Sequence, residues 1–290
     1  MLQLYSLLAI PVFLVILFKY VPMFGIIIAF KDYKYNLGIF GSEWVGFENF
    51  KFFFQSNDFF RITRNTLLLN GVFIFTGVLA AVTVAILLFE LKSRTATKIF
   101  QTTMITPNFL SWVTVSYMVY ALLNPRYGFI NTTFGLDINW YAEPGRWPGI
   151  LAIANIWKHV GMDCILYYAA LMGMDHSLIE AAEVDGANKW HKIVHIMLPT
   201  LVPILCINCI LKIGSIFHAD FGLFYNVPRN IGELYETTDV IDTYVFRTMR
   251  VVGDMGLSSA VGLVQSLVGF SMVMITNAVV RKVSPDNSLL

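Results

Sequence analysis

Four ionisable side chains, Lys19, Lys158, Asp163 and Lys212, stand inside stretches of this 290-residue chain that are otherwise apolar. If those stretches cross a bilayer, each charge costs about 2.5–3.5 kcal/mol on insertion scales, so each is expected to face protein or water and is a candidate for function. Lys158 and Asp163 are five apart, about 140° round a helix, and are not expected to pair with each other. Asn155, Trp157 and His159 sit beside Lys158, and His218 and Asp220 follow Lys212. A second constellation is His191 and His195, whose i, i+4 spacing would place two imidazoles on one helix face as zinc requires. The residues between them are Lys192, Ile193 and Val194, with no Glu to act as base and no third ligand, so surface histidines are expected and no metal. No Gly-x4-Gly-Lys-Ser/Thr and no Gly-x-Ser-x-Gly occurs, so the chain cradles no nucleotide phosphate and carries no nucleophile elbow. It reads as a non-enzyme, and any ATP and Mg would be held by another chain.

The elements that position these groups follow from composition. Hydrophobic residues make up 57% and charged residues 13%, against roughly half and a quarter for a soluble domain. The net charge of +1 gives no basic excess for a nucleic acid, and 24 Phe, 13 Tyr and 6 Trp exclude disorder. Cys164, Cys206 and Cys209 all fall in apolar runs, where a thiol behaves as a small hydrophobe.

A bilayer core needs about 20 apolar helical residues. Residues 65–89, 99–125 and 255–280 contain no Asp, Glu, Lys or Arg, and 1–30, 148–174 and 196–219 are long enough with an ionisable residue inside. The predicted fold class is therefore all-α integral membrane, with six transmembrane helices in one domain over 1–290. The first apolar stretch lacks a basic start and a small-residue cleavage site, so a retained helix is expected rather than a signal peptide. With six spans, loops 31–64, 124–147 and 220–254 share one face, and 90–98, 175–195 and the tail share the other. Raw Lys and Arg totals favour the first set as cytoplasmic, but Lys92, Arg94 and Lys98 crowd one short loop of the second set, which is the feature that matters for orientation. Residues 50–60, with Phe52, Phe53, Phe54 and Phe59 among polar neighbours, suit either an interfacial helix or one packed on the outer ends of the bundle. Ser258, Gly262, Ser266 and Gly269 form a small-residue stripe suited to close helix approach, within the subunit or against a second one.

The loop 176–199 carries the most specific signal. Leu178 to Val184 suits a short helix, Gly186 can take the left-handed conformation that turns the chain, and a second helix runs from Asn188 to Pro199, whose ring kinks or restarts it. Ala181, Ala182 and Ala187 keep this knob small enough to dock into a cleft. A plain loop capping two spans would look much the same.

The spacing of Glu180, Ala181, Ala182, Gly186, Ile196, Leu198 and Pro199 resembles the EAA signature of bacterial binding-protein-dependent ABC importer permeases. Lys19-Tyr-Val-Pro-Met-Phe-Gly25, Ile28-Ala-Phe-Lys-Asp-Tyr33, Asn65-Thr-Leu67, Asp185-Gly-Ala-Asn188 and Ile241-Asp-Thr-Tyr-Val-Phe-Arg247 are similar to the maltose-type carbohydrate branch, and within it to lipoprotein-associated oligosaccharide permeases. The resemblance implies a type I importer permease fold in the bacterial cytoplasmic membrane, with the EAA loop and both termini inside. It implies as partners a second homologous permease, two ATPase subunits and an extracytoplasmic solute-binding protein. It implies that Glu180, Ala181, Ala182, Asp185, Gly186, Ala187 and Pro199 couple to the ATPase, Glu180 and Asp185 approaching its basic residues. One departure is the absence of cytoplasmic basic residues before the first span.

On this resemblance the substrate is an oligosaccharide, acids derived from pectin or alginate among the candidates. Asn155, Trp157, Lys158, Asp163, Lys212 and Asp220 are then the candidate path, aromatics stacking on sugars and ammonium groups attracting carboxylates. The competing expectation is that Lys19 and Lys212 snorkel to an interface and Lys158 pairs with the partner permease. The rival function, an ion-gradient-driven secondary transporter, should show inverted repeats and discontinuous helices. The sequence predicts neither.

Overall fold

A computed structural model describes residues 2–283 of the chain, and their secondary structure is helical apart from one two-residue strand pair, β1 Lys31–Asp32 and β2 Glu43–Trp44. In chain order the main helices are α1 Leu2–Val15, α2 Glu48–Gln55, α3 Asn57–Phe89, α4 Arg94–Ile105, α5 Trp112–Leu123, α6 Trp147–Met172 and α7 Ser177–Val184. They continue with α8 Lys189–Gly214, α9 Phe221–Asn226, α10 Ile241–Arg247 and α11 Met255–Val283. Among the described residues five segments are long and apolar enough to cross a membrane: Leu8–Phe30, Asn57–Phe89, Pro144–Met172, Lys189–Gly214 and Met255–Lys282.

The expected third span, 99–125, is not one helix. α4 ends at Ile105, Thr106–Phe109 forms a 3-10 turn, Leu110 is extended, and α5 restarts at Trp112. Each piece has 12 residues, about 18 Å of helix, short of a bilayer core by itself. The cause is local. Pro107 cannot donate to the helical ladder, and Ser111 offers its hydroxyl to the Thr114 N–H at 3.2 Å, capping a new helix. The expectation of uninterrupted helices is thereby corrected.

Contacts divide the chain into two compact units, one of residues up to Thr63 with Ile241–Val268, the other of Arg64–Val240 with the residues from Gly269 on. In the first, β1 and β2 pair antiparallel with Lys31 opposite Trp44, and the Lys31 ammonium donates to the Ser42 carbonyl at 3.0 Å. The Asn49 amide donates to the carbonyls of Ala29 and Lys31 at 2.9 and 3.1 Å, and Gly256 lies so close that a Cβ would meet the Lys31 oxygen at 2.6 Å. The two readings of residues 50–60 combine: α2 buries Phe53 against Phe59 and Tyr244, while Phe52 and Phe54 stay exposed. Lys19 lies in a π turn, Ile16–Tyr20, and is exposed.

The second unit has two apolar cores. One gathers Trp147, Leu151, Leu223, Phe224, Val227 and Leu234. The other packs Ala81, Ala85 and Leu88 of α3 against Tyr167 and Leu171 of α6 and Met197 and Leu201 of α8. Small residues on α3 admit the Tyr167 ring, whose hydroxyl accepts from the Asn208 amide at 2.6 Å.

Candidate functional site

The coupling loop folds as its composition dictates. α7 ends at Val184, Gly186 takes φ +77°, and Asn188 caps α8 by accepting the His191 N–H at 2.9 Å. The Ala187 N–H returns to the Ala182 carbonyl at 2.9 Å, closing the turn by the backbone. The Lys192 ammonium, on a residue only 8% exposed, donates to Glu183 Oε1 at 2.7 Å and ties the two helices together. That bond holds the Glu183 carboxyl below the usual carboxylate range. Ala182, Asp185, Gly186 and Ala187 line a cleft of about 430 Å³ with His191 and His195, whose rings stack at 5.8 Å. Val184 is 87% exposed and Trp190 71% exposed on either side of Gly186, the two barest large apolar side chains of the loop. Glu180 and Pro199 are exposed as well. The helix before Pro199 passes through a π turn, Ile193–Met197, before α8 resumes α geometry at Leu198.

The intramembrane charges divide differently from either expectation. The Lys158 ammonium is buried and donates to the carbonyls of Pro107, at 3.4 Å, Asn108, at 3.0 Å, and Leu110. The break in the third apolar run leaves the Asn108 and Leu110 oxygens without helical donors, and the cation replaces them, while Pro107 also accepts the Leu110 N–H at 3.1 Å. It also lies 5.2 Å from the Trp112 ring, while His159 Nδ1 meets Asn108 Oδ1 at 3.1 Å. Gly161 completes the seat: a Cβ there would sit 1.9 Å from the Met104 carbonyl oxygen, so α4 and α6 touch backbone to backbone. Lys158 is therefore buried and engaged by acceptors of its own chain.

Lys212 pairs within the chain. Its ammonium donates to Asp163 Oδ2 at 2.8 Å, both side chains being about 30% exposed. The pair lies on a polar concavity of about 240 Å³ formed with Asn155, His159 and Phe73, which adjoins a second of about 220 Å³ lined by Asn70, His218 and Asp220. Asp220 caps α9 and accepts from Trp112 Nε1 at 2.6 Å. Asn155, Asp163, Lys212 and Asp220 are thus brought together. Trp157 points elsewhere, into an apolar concavity with Met118, Leu122 and Ile153. Sequence reasoning missed Asn108 and Trp112, although Pro107-Asn108 and the capping Ser111 in the middle of an apolar run were the available signal. Among the described residues no group of three or more His, Cys, Asp or Glu is placed to hold a metal.

A family model described as "Binding-protein-dependent transport system inner membrane component" matches residues 73–285. Protein LplB of Bacillus subtilis (strain 168) is 34% identical over 271 residues, covering 92% of this chain and 85% of LplB. The polygalacturonan/rhamnogalacturonan transport system permease protein YteP of the same organism is 35% identical, covering 92% of this chain and 84% of YteP. Among solved structures, a chain of a bacterial ABC transporter involved in the import of the acidic polysaccharide alginate superposes with TM-score 0.89 at 31% identity, over 97% of this chain and 96% of that one. The alginate transporter in complex with its alginate pentasaccharide-bound periplasmic protein gives TM-score 0.88 at 31% identity, over 97% and 95%.

Proposed function

The chain belongs to the binding-protein-dependent transport system inner membrane components, and from that premise we propose that it passes oligosaccharides across the bacterial cytoplasmic membrane in an ATP-driven importer. The family removes the ion-gradient alternative, which the broken third run alone would have left standing. The working assembly on this reading pairs the chain with a second homologous permease, two ATPase subunits that hold ATP and Mg, and an extracytoplasmic solute-binding protein. The chain itself holds no cofactor. Residues 176–199 and both termini face the cytoplasm, and acidic sugars of the pectin or alginate kind are among the substrates, a reading supported by the relatives' own substrates.

The observation that carries the reading is the bare knob at Gly186. Closure of the ATPases upon ATP would move α7 and the start of α8 through contacts at Val184, Asp185, Ala187 and Trp190, with Glu180 and Asp185 meeting basic residues. Because Lys192 and Glu183 lock the two helices to each other, the knob moves as one body. α8 then carries the displacement to Lys212, and the concavity beside Asn155 and Asp163 is exposed to one side of the membrane at a time.

Gly186 gives the test. Nothing lies within 4 Å of where its Cβ would be, so added bulk is harmless to this chain, while φ +77° penalises Ala more than Asn. In proteoliposomes holding the whole importer, Gly186→Asn is expected to keep the fold and lose most ATP-coupled uptake. Uptake at the wild-type rate in that variant would remove the knob from the coupling path.

A further inference from the structure

Two of the cations that the sequence offers for reading an acidic sugar are already engaged: Lys158 by three carbonyls and Lys212 by Asp163. The adjoining polar concavities hold two carboxylates, Asp163 and Asp220, against the single ammonium of Lys212. One other cavity of the second unit offers an unneutralised cation. It has a volume of about 320 Å³, and Tyr117 of α5, with Tyr225, Asn226 and Arg229 at the end of α9, lines it.

The Arg229 guanidinium lies 4.3 Å from the Tyr120 ring centroid and 5.6 Å from that of Tyr117, and no carboxylate of the described residues pairs with it. A guanidinium held over aromatic rings keeps its N–H donors for a ligand. The backbone is set for this. Arg229 and Asn230 both have positive φ, 59° and 50°, a conformation disfavoured for arginine that glycine would adopt freely. It is held by the Arg229 N–H on the Asn226 carbonyl, the Asn230 N–H on the Tyr225 carbonyl, and the Tyr235 hydroxyl on Asn230 Oδ1 at 2.9 Å. Strain of this kind at a side chain aimed into a cavity points to a use for that side chain.

We infer that this cavity is a subsite for one uronate unit of an acidic oligosaccharide, with Arg229 taking the carboxylate and Tyr117 and Tyr225 packing against the C–H face of the pyranose. The Asn226 amide donates to the Gly222 carbonyl at 2.8 Å, which leaves its oxygen to accept a sugar hydroxyl. A planar fork matched to a carboxylate beside aromatic rings is the chemistry an acidic sugar needs and a neutral one does not. The inference rests on the oligosaccharide-import reading, under which α9 and the loop after it lie on the face opposite the coupling knob, where sugar arrives. Selection for acid is thereby assigned to the entrance and not to the intramembrane lysines.

The test uses the assembled complex in nanodiscs without its binding protein, with labelled trigalacturonate and its carboxyl-reduced counterpart as probes. Arg229→Gly removes the guanidinium and relieves the backbone, so its thermal midpoint should equal or exceed that of the wild type. Its affinity for trigalacturonate should fall about tenfold or more, the usual worth of a charge-assisted pair, with no change for the reduced probe. Arg229→Lys, which keeps charge without the fork, should fall between. Equal losses for both probes, no loss for either, or a wild type that does not prefer the acid would overturn the inference. ATP-dependent uptake by the wild-type complex with its binding protein is measured alongside. If it occurs while Arg229→Gly binds both probes normally, the subsite alone falls; if ATP drives no uptake of either probe, the import reading falls and takes the subsite with it.

Discussion

The coupling knob and the seat of Lys158 both consist of a helix end, a tight turn and a new helix, yet they are built in opposite ways. At the knob the turn itself is closed by near neighbours: Asn188 caps His191, Ala187 returns to Ala182, and Lys192 reaches Glu183 nine positions back, with the exposed Lys189 pairing to Glu90 at 3.7 Å as a distant addition. At the break in the third run the carbonyls of Pro107, Asn108 and Leu110 are met by an ammonium some fifty residues away on α6. The knob is bathed in water, so its spare polar groups need no protein partner, and its Val184 and Trp190 are left bare. At the break the carbonyls sit on partly buried residues in an apolar run, so they are satisfied from within the protein. An exposed turn is free to dock; a buried one must be pinned.

That contrast fixes what mutation should do. The largest effect is expected at Lys158. Lys158→Met leaves the Asn108 and Leu110 carbonyls without their donor and should destabilise the second unit by about 2–4 kcal/mol, the cost of one to two unsatisfied polar groups. Uptake of a uronate oligosaccharide and of a neutral one should fall together, with partial recovery in Lys158→Arg. A loss restricted to the acid sugar would turn Lys158 from a pin into a selector and break the comparison.

A smaller effect is expected for the half-exposed pair of Lys212 and Asp163. Asp163→Asn should cost about 1 kcal/mol after allowance for solvent screening, and Lys212→Met in the same chain should recover most of it, as read by thermal unfolding in a double-mutant cycle. Additive losses would show that the two charges act separately in the concavity.

The smallest effect is at the knob. The Glu183 carboxyl is held below its usual range by Lys192, so the bond contributes fully above the ordinary carboxylate range and is lost as pH falls through the lowered value. Hydrogen-exchange protection factors over residues 177–192 should therefore be flat from neutral pH down to the ordinary carboxylate range and fall below it. Glu183→Gln should abolish that acid step. An acid step that survives in Glu183→Gln would place the titrating group elsewhere, Asp175 being the next candidate because its carboxylate accepts the Ser177 N–H at 2.9 Å.

How much of this was legible in the sequence follows from the same contrast. Gly186, Asn188 and the alanines announce the knob because backbone conformation and capping are short-range properties. The charge-free runs announce the long helices, and Gly161 and Ala85 give no hint in sequence of the close approaches they allow. The third run was legible as apolar but not as broken, since counting charges weighs transfer energy and is blind to where the ladder stops. Arg229 was an ordinary loop cation until its positive φ and the two tyrosine rings beneath it were seen.

The amino-acid order by itself determined that the chain lives in a membrane, where its long helices run and which loop forms the small-residue turn, because hydropathy and turn chemistry depend on neighbours along the chain. Only the tertiary structure decided which charge answers which. A buried cation takes whichever oxygens folding delivers to it, and for Lys158 those lie on a helix end that no spacing rule connects to it.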